Sequence, residues 1–291
     1  MSRDVLADLP ASCRVDGGKA HLARRDPGKV AHGLDKERAA ALLAGSVERL
    51  ARLQVVLAAA AERSLLVVLQ AMDAGGKDGT IRHVMSGVNP QGVRVTSFKQ
   101  PGGVELQQDF LRRVHAAVPL RGEIGLFNRS HYEDVLVGRV HPDRLDPALR
   151  KRAGHDRFWD DRLSDIVAFE SYLARQGVTI VKVFLHISKD EQRRRFLSRI
   201  DHPDKLWKLS AADIVERERW DDYQRAYEAA ISATATKKAP WFVVPADHKW
   251  FARLVVVETI VQALEGMDLA FPEPDPEEVG RLREAQASLE E

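Results

Sequence analysis

Ser64 to Thr80 reads SLLVVLQAMDAGGKDGT. Its first part, Ser64–Gln70, is a short continuous apolar run with β-branched residues, the pattern of a strand covered on both faces. The turn Asp73-Ala74-Gly75-Gly76-Lys77-Asp78-Gly79-Thr80 follows directly, and a helical pattern begins near Thr80. A strand, a glycine-rich turn with a lysine, then a helix is the context that a phosphate-binding loop requires. Glycines let backbone N–H groups converge on an anion, the helix presents its positive end, and Lys77 adds a mobile full charge. The match to G-x-x-x-x-G-K-[ST] is imperfect. Ala71 stands where the first glycine belongs, and Asp78 where the Ser or Thr that ligates Mg²⁺ belongs. Mg²⁺ favours carboxylate oxygen, so Asp73 and Asp78 are candidates to take over that duty.

Outward from this stretch, strands and helices alternate. Leu43, Val47, Leu50, Leu53 and Leu57 form one apolar stripe of a helix that begins near Leu34. Val93–Phe98, Glu123–Asn128, Val178–Ile187 and Trp241–Ala246 read as strands. Helices are expected around Leu106–Val118, Trp159–Leu173 and Trp250–Leu264, each by its spacing of three and four. Ser188 with Glu191 fits a capping box, and Ser210 with Asp213 gives a similar start before the run carrying Trp220, Tyr223 and Tyr227. Strands separated by helices imply βαβ units: an α/β protein with a mainly parallel central sheet and helices on both faces.

Composition bounds the partners. The chain has 291 residues, 44% hydrophobic and 30% charged, with 44 basic and 43 acidic residues for a net charge of +1. That balance does not suggest a globally basic nucleic-acid binder, so a polyanion site must be local. No apolar run of transmembrane length and no signal-peptide core is visible, so no membrane partner and a cytoplasmic location are the expectations. The single cysteine, Cys13, excludes an intramolecular disulfide and reads as an incidental thiol in a polar stretch without an obvious helix or strand. Ten histidines show no tight metal-ligand spacing. Residues 1–33 read as an extended N-terminal arm, and 34–270 as one domain. Residues 271–291, with seven acids and two basic residues, read as an acidic solvated tail.

Two further segments carry chemistry. Phe127-Asn128-Arg129-Ser130-His131-Tyr132-Glu133-Asp134 ends the third strand, and sites in open α/β sheets form at the carboxyl ends of strands. That places Asn128 and Arg129 beside the glycine-rich loop, with neutral Asn128 where an acid usually holds Mg²⁺. Glu133 and Asp134 can restore negative charge. Lys189 to Lys208 holds seven basic and four acidic residues and a His202-Pro203-Asp204 turn. It reads either as a helical lid (about 189–210) over phosphates or as a solvated helix face.

Taken together, six runs resemble family-2 polyphosphate kinases: VLQAMDAGGKDGTIRHV (68–84), GVNPQGVRVTSF (87–98), FNRSHYEDVLVGRVH (127–141), FLHISKDEQRRRFLSRI (184–200), WDDYQRAYEAA (220–230) and APWFVVPADHKWF (239–251). The resemblance spans roughly residues 15 to 270. It implies a P-loop kinase-like, three-layer α/β/α fold with a helical lid. The implied activity is Mg²⁺-dependent (Mn²⁺ being the alternative) phosphoryl transfer between inorganic polyphosphate and nucleotides. It implies catalytic roles for Asp73, Lys77, Asn128, Arg129 and Arg195, the last as the lid arginine. Phosphate and nucleotide contacts would come from Ala74, Gly75, Gly76, Lys77, Asp78, Gly79, Thr80, Arg82 and Glu133. Polyphosphate would lie along Arg194, Lys205 and Lys208, and the metal would involve Asp73, Asp78 and Glu133. Asn128 with Glu133 resembles the subgroup that accepts both AMP and ADP and forms ADP and ATP reversibly, with guanine nucleotides as further substrates. The resemblance also implies a homo-oligomer, dimer or tetramer. Two other readings compete: a P-loop nucleotide kinase with ATP as donor, and a non-enzymatic polyanion-binding protein on a degraded P-loop fold.

Overall fold

Eight consecutive buried residues, Ser64–Ala71, form the strand at the centre of the sheet. The computed structural model describes residues 2–31, 33–287 and 289–290. Along the chain, α1 (Ser2–Cys13) and β1 (Arg14–Val15) precede α2 (Lys36–Ala60), the central β2 (Ser64–Ala71) and α3 (Lys77–Val84). Next come β3 (Val93–Ser97), α4 (Arg112–His115), β4 (Ile124–Asn128), α5 (Glu133–Val140), α6 (Pro147–Ala153) and α7 (Asp156–Arg175). The second half holds β5 (Val178–His186), α8 (Lys189–Ile200), α9 (Ala211–Glu216), α10 (Trp220–Thr234), β6 (Trp241–Pro245), α11 (Lys249–Glu265) and α12 (Pro276–Ala287).

The sheet order is β1-β6-β5-β2-β4-β3, all parallel except the antiparallel edge strand β1. In register, Leu69 of β2 lies beside Asn128 of β4, and Ala71 beside Leu185 of β5. The chain runs from β2 outward to β3, returns to β4, then crosses to β5 on the other side of β2. The crevice beyond the carboxyl ends of β2, β4 and β5 is therefore the switch point where α/β sheets hold ligands. Helices α1, α2, α3 and α11 pack as one layer and α5, α7 and α10 as the other. α11 buries eleven residues, Phe251, Leu254 and Val257 among them, and so is apolar nearly all round, as an enclosed helix should be. Asp35 caps α2 by accepting from Arg38 N at 2.8 Å.

Four local expectations need correction. The N-terminal arm is not extended: residues 2–13 are helical. Leu9 and Cys13 recur at a spacing of four and bury against the core, and Val15 pairs with Trp241. Charge in the stretch concealed this face. Cys13 is consequently enclosed, its thiol pushed up by burial. Leu106–Val118 does not form one helix but a 3₁₀ turn (Gly103–Gln107) and the four-residue α4. Asp109 accepts from Leu111 N at 3.1 Å, a local turn that competes with helix. At α8 only half of the capping box forms: Ser188 accepts from Glu191 N, while the Glu191 side chain pairs with Arg194 and Arg195. The box at Ser210–Asp213 is complete, but it opens the six-residue α9, and the aromatic run starts a separate helix, α10. Beyond Phe271 the described residues are exposed apart from half-buried Val279, and they carry α12.

Candidate phosphoryl-transfer site

The turn between β2 and α3 is shaped for an anion. Gly75 packs so closely that a Cβ there would sit 2.4 Å from Ala71 Cβ and 2.8 Å from Met72 O. Gly76, with φ +100°, is the N-cap of α3, a conformation that only glycine adopts cheaply. Ala74 pays the strain of φ +59°. The helix starts at Lys77, three residues earlier than its apolar pattern indicated. Gly75 N donates to Met72 O and Thr80 N to Gly76 O, whereas among the described residues the amides of Gly76, Lys77, Asp78 and Gly79 donate to no protein group. These are the free donors of a helix N-terminus, and they face a groove.

That groove, about 990 Å³, is bordered by the whole turn, by Asn128 and Arg129, and by α8, the following lid turns and α11. Eleven basic and five acidic side chains line it, so a chain of net charge +1 concentrates positive potential in one place. Lys77 is nearly enclosed, its Nζ donating to Ala71 O at 3.0 Å. Burial, then the neighbouring Arg129, push its ammonium down to about 8, against the opposing pull of Asp73, Glu133 and Asp78.

Arg129 leaves the end of β4 in the left-handed region, φ +66°. Its guanidinium bridges two acids: Nη2 donates to Asp73 Oδ1 at 3.0 Å and Nη1 to Glu133 Oε2 at 2.9 Å. Asn128 Nδ2 donates to Asp78 Oδ1 at 2.7 Å, which joins the β4 end to the glycine-rich turn. On the far side of Arg129 lies a second cavity of about 430 Å³, bordered by Glu133, Val137, Gly138, Leu145, Glu216 and Tyr223. Asp73, Arg129 and Asp213 border both spaces. Asp78 faces only the groove and Glu133 only the second cavity, so the three acids considered for the metal do not gather on one point. Among the described residues no group of three His, Cys, Asp or Glu forms a metal cage. Mg²⁺ characteristically takes one or two carboxylates and completes its shell with substrate phosphates and water, so the lack of a cage leaves Asp73 and Asp78, which both border the groove, as candidates for it.

The lid residues separate into two kinds. Arg195 is almost enclosed, and its donors are committed: Nη1 to Ala74 O at 2.9 Å, Nη2 to Ala246 O at 2.5 Å, and Nε to Glu191 Oε1 at 2.7 Å. It braces the backbone of the phosphate loop against the β6 end and is not a free lid finger. Arg194, Lys205 and Lys208 line the groove wall, as does Arg82 from α3. Sequence reasoning missed Lys249 and Arg253. They lie one turn apart on α11 and also line the groove. Their spacing of four was a readable signal, obscured by the apolar stripe of the same helix. His131 is buried beneath the site and contacts Glu170, so it does not line either space. No helix among the described residues is long and apolar enough to cross a membrane.

Comparison with known proteins agrees with this geometry. The sequence profile of the family described as Polyphosphate kinase 2 (PPK2) matches residues 33–272. An ADP-polyphosphate phosphotransferase of Rhodopseudomonas palustris is 51% identical over 243 residues, covering 83% of this chain and 84% of that protein. An AMP/ADP-polyphosphate phosphotransferase of Meiothermus ruber is 49% identical over 259 residues, covering 89% and 93%. The crystal structure of Polyphosphate Kinase 2 from Arthrobacter aurescens superposes with a TM-score of 0.83 at 45% identity, covering 91% of this chain and 92% of that one. With a phosphate loop at the sheet's switch point, a basic groove above it and a match along most of its length, the chain belongs to the polyphosphate kinase 2 family.

Proposed function

We propose that this protein transfers phosphoryl groups between inorganic polyphosphate and adenine nucleotides, taking AMP to ADP and ADP to ATP, reversibly. The observation that carries this reading is the meeting of two unlike spaces at Asp73 and Arg129. A long groove rich in cations suits a polyanion of repeating charge. A smaller cavity with apolar Val137 and Leu145 suits a nucleoside, with its phosphates toward Arg129. Both relatives, an ADP- and an AMP/ADP-polyphosphate phosphotransferase by name, support the same substrates. Asn128 and Glu133 are the residues that favour the AMP-accepting subgroup.

In this reading the acceptor phosphate oxygen is itself the nucleophile, so no Ser, Cys or His is needed. Transfer then depends on alignment and on neutralising charge. The free amides of the turn and Lys77 hold the terminal donor phosphates, and Arg129 holds the group in transit between the two spaces. The brace from Arg195 keeps the turn from relaxing. Asp73 and Asp78 would hold Mg²⁺, which when bound would neutralise the phosphate oxygens that gain charge. A homo-oligomer and a cytoplasmic location complete the proposal and rest on the family resemblance alone.

The test is an assay of purified protein with AMP, ADP or GDP, Mg²⁺ and either polyphosphate or ATP as the donor. ADP from AMP and ATP from ADP with polyphosphate alone is the expected result. Transfer only when ATP is the donor would mean an ordinary nucleotide kinase, and no transfer with either donor would leave a binding protein.

A further inference from the structure

The turn that carries Arg129 and Glu133 is held residue by residue from below. Arg129 N donates to Leu69 O at 3.1 Å. Ser130 Oγ accepts from Gln70 Nε2 at 3.1 Å and from Tyr132 N at 3.2 Å. His131 Nε2 lies 3.4 Å from Glu170 Oε1, and the Tyr132 hydroxyl donates to the same oxygen at 2.8 Å. Under them sits Lys182, in the middle of β5 and without any exposure to solvent. Its Nζ donates to Glu170 Oε2 at 2.5 Å, Thr234 O at 2.8 Å and Tyr132 Oη at 3.1 Å, so every proton of the ammonium has an acceptor. The group joins β5, α7, the end of α10 and the start of α5.

A buried ion pair is a poor source of cohesion. Desolvation consumes most of its attraction, and apolar side chains of similar volume are often as stabilising or more so. What it supplies is direction, because each hydrogen bond fixes where an atom must lie. The turn above needs that. Arg129 holds a left-handed backbone that a residue with a Cβ keeps only when its neighbours are fixed. Its two carboxylate partners lie on different segments, Asp73 after β2 and Glu133 at the start of α5.

We infer that the buried Lys182–Glu170–Tyr132 group is a positioning device for phosphoryl transfer, holding the β4–α5 turn so that Arg129 and Glu133 stand where the two substrate spaces meet. The inference rests on the role proposed above for Arg129. These three residues touch no substrate; they act through the turn.

Tyr132→Phe removes one hydroxyl and keeps the ring and the ion pair. Measured per folded molecule, its kcat is expected to fall about ten-fold, with the KM values for ADP and polyphosphate within about two-fold of wild type. A role confined to stability would lower Tm and leave kcat alone. The triple replacement Lys182→Met, Glu170→Leu, Tyr132→Phe is expected to show the same or a greater loss of kcat with Tm preserved. Full kcat in folded Tyr132→Phe, or in the folded triple variant, overturns the inference. Arg129→Ala separates the levels. If it is inactive while Tyr132→Phe turns over normally, only the positioning role falls. If Arg129→Ala is itself fully active, the reading of the site falls with it.

Discussion

Lys77 is a cation kept in an enclosed place, and its chemistry follows from that. With its ammonium pushed down to about 8, the free enzyme loses this proton near pH 8. A bound phosphate favours the charged form, so binding must take up a proton at higher pH. Below about pH 8 the lysine is charged in both states and no proton moves. The KM for polyphosphate is therefore expected to rise as pH climbs through about 8, while Lys77→Arg, which stays charged, flattens the profile. A profile identical in the two proteins would argue against Lys77 as the phosphate ligand. Lys77→Ala is expected to lower kcat/KM by about a thousand-fold or more with little change in Tm, since the one backbone hydrogen bond it removes is offset by relief from burying a charge. Gly75→Ala belongs to the opposite class. Its new Cβ would strike Ala71 and Met72 O, and unfolding measurements should show a loss of about 1–3 kcal/mol.

At the level of elements, α8 with its following turns and α11 both line one electrostatic groove. Lys205 lines it from the turns after α8 and Lys249 from α11. Replacing either with alanine is expected to raise the KM for polyphosphate several-fold and to weaken its dependence on salt, with the KM for ADP unmoved. A change in the ADP constant instead would relocate the polyphosphate path. How legible these elements were depended on whether their signal was local. The strand Ser64–Ala71 and its glycine-rich turn stood out because burial on both faces leaves an unbroken apolar run and an anion cradle demands small residues. α1 was hidden because a marginal apolar stripe sat among charges, and its partner α11 lies some 250 residues away. The brace from Arg195 was equally invisible, since its acceptors are carbonyls of distant turns and any residue type supplies a carbonyl. Arg129 and Asp73, 56 positions apart, were brought together only by the parallel register of β2 and β4.

Across the whole molecule, a nearly neutral chain separates its charges. The groove gathers the cations, while acids border the second cavity and dominate the segment after Phe271. Among the described residues no cage of three metal-binding side chains exists, and the divalent ion proposed above would sit on substrate phosphates and not within the fold. Chelation should stop turnover and leave Tm unchanged; a fall in Tm of several degrees on adding chelator would reveal a structural ion instead. The claim on which everything else depends is that donor and acceptor approach Asp73 and Arg129 from opposite sides. A crystal structure with short-chain polyphosphate and a methylene-bridged ADP analogue tests it most directly. The expected density is a phosphate chain lying from the amides of Gly76–Gly79 along Lys205 and Lys208, with the nucleoside beside Val137 and Tyr223. A nucleoside in the cationic groove, or polyphosphate bound away from Lys77 and Arg129, would contradict the account.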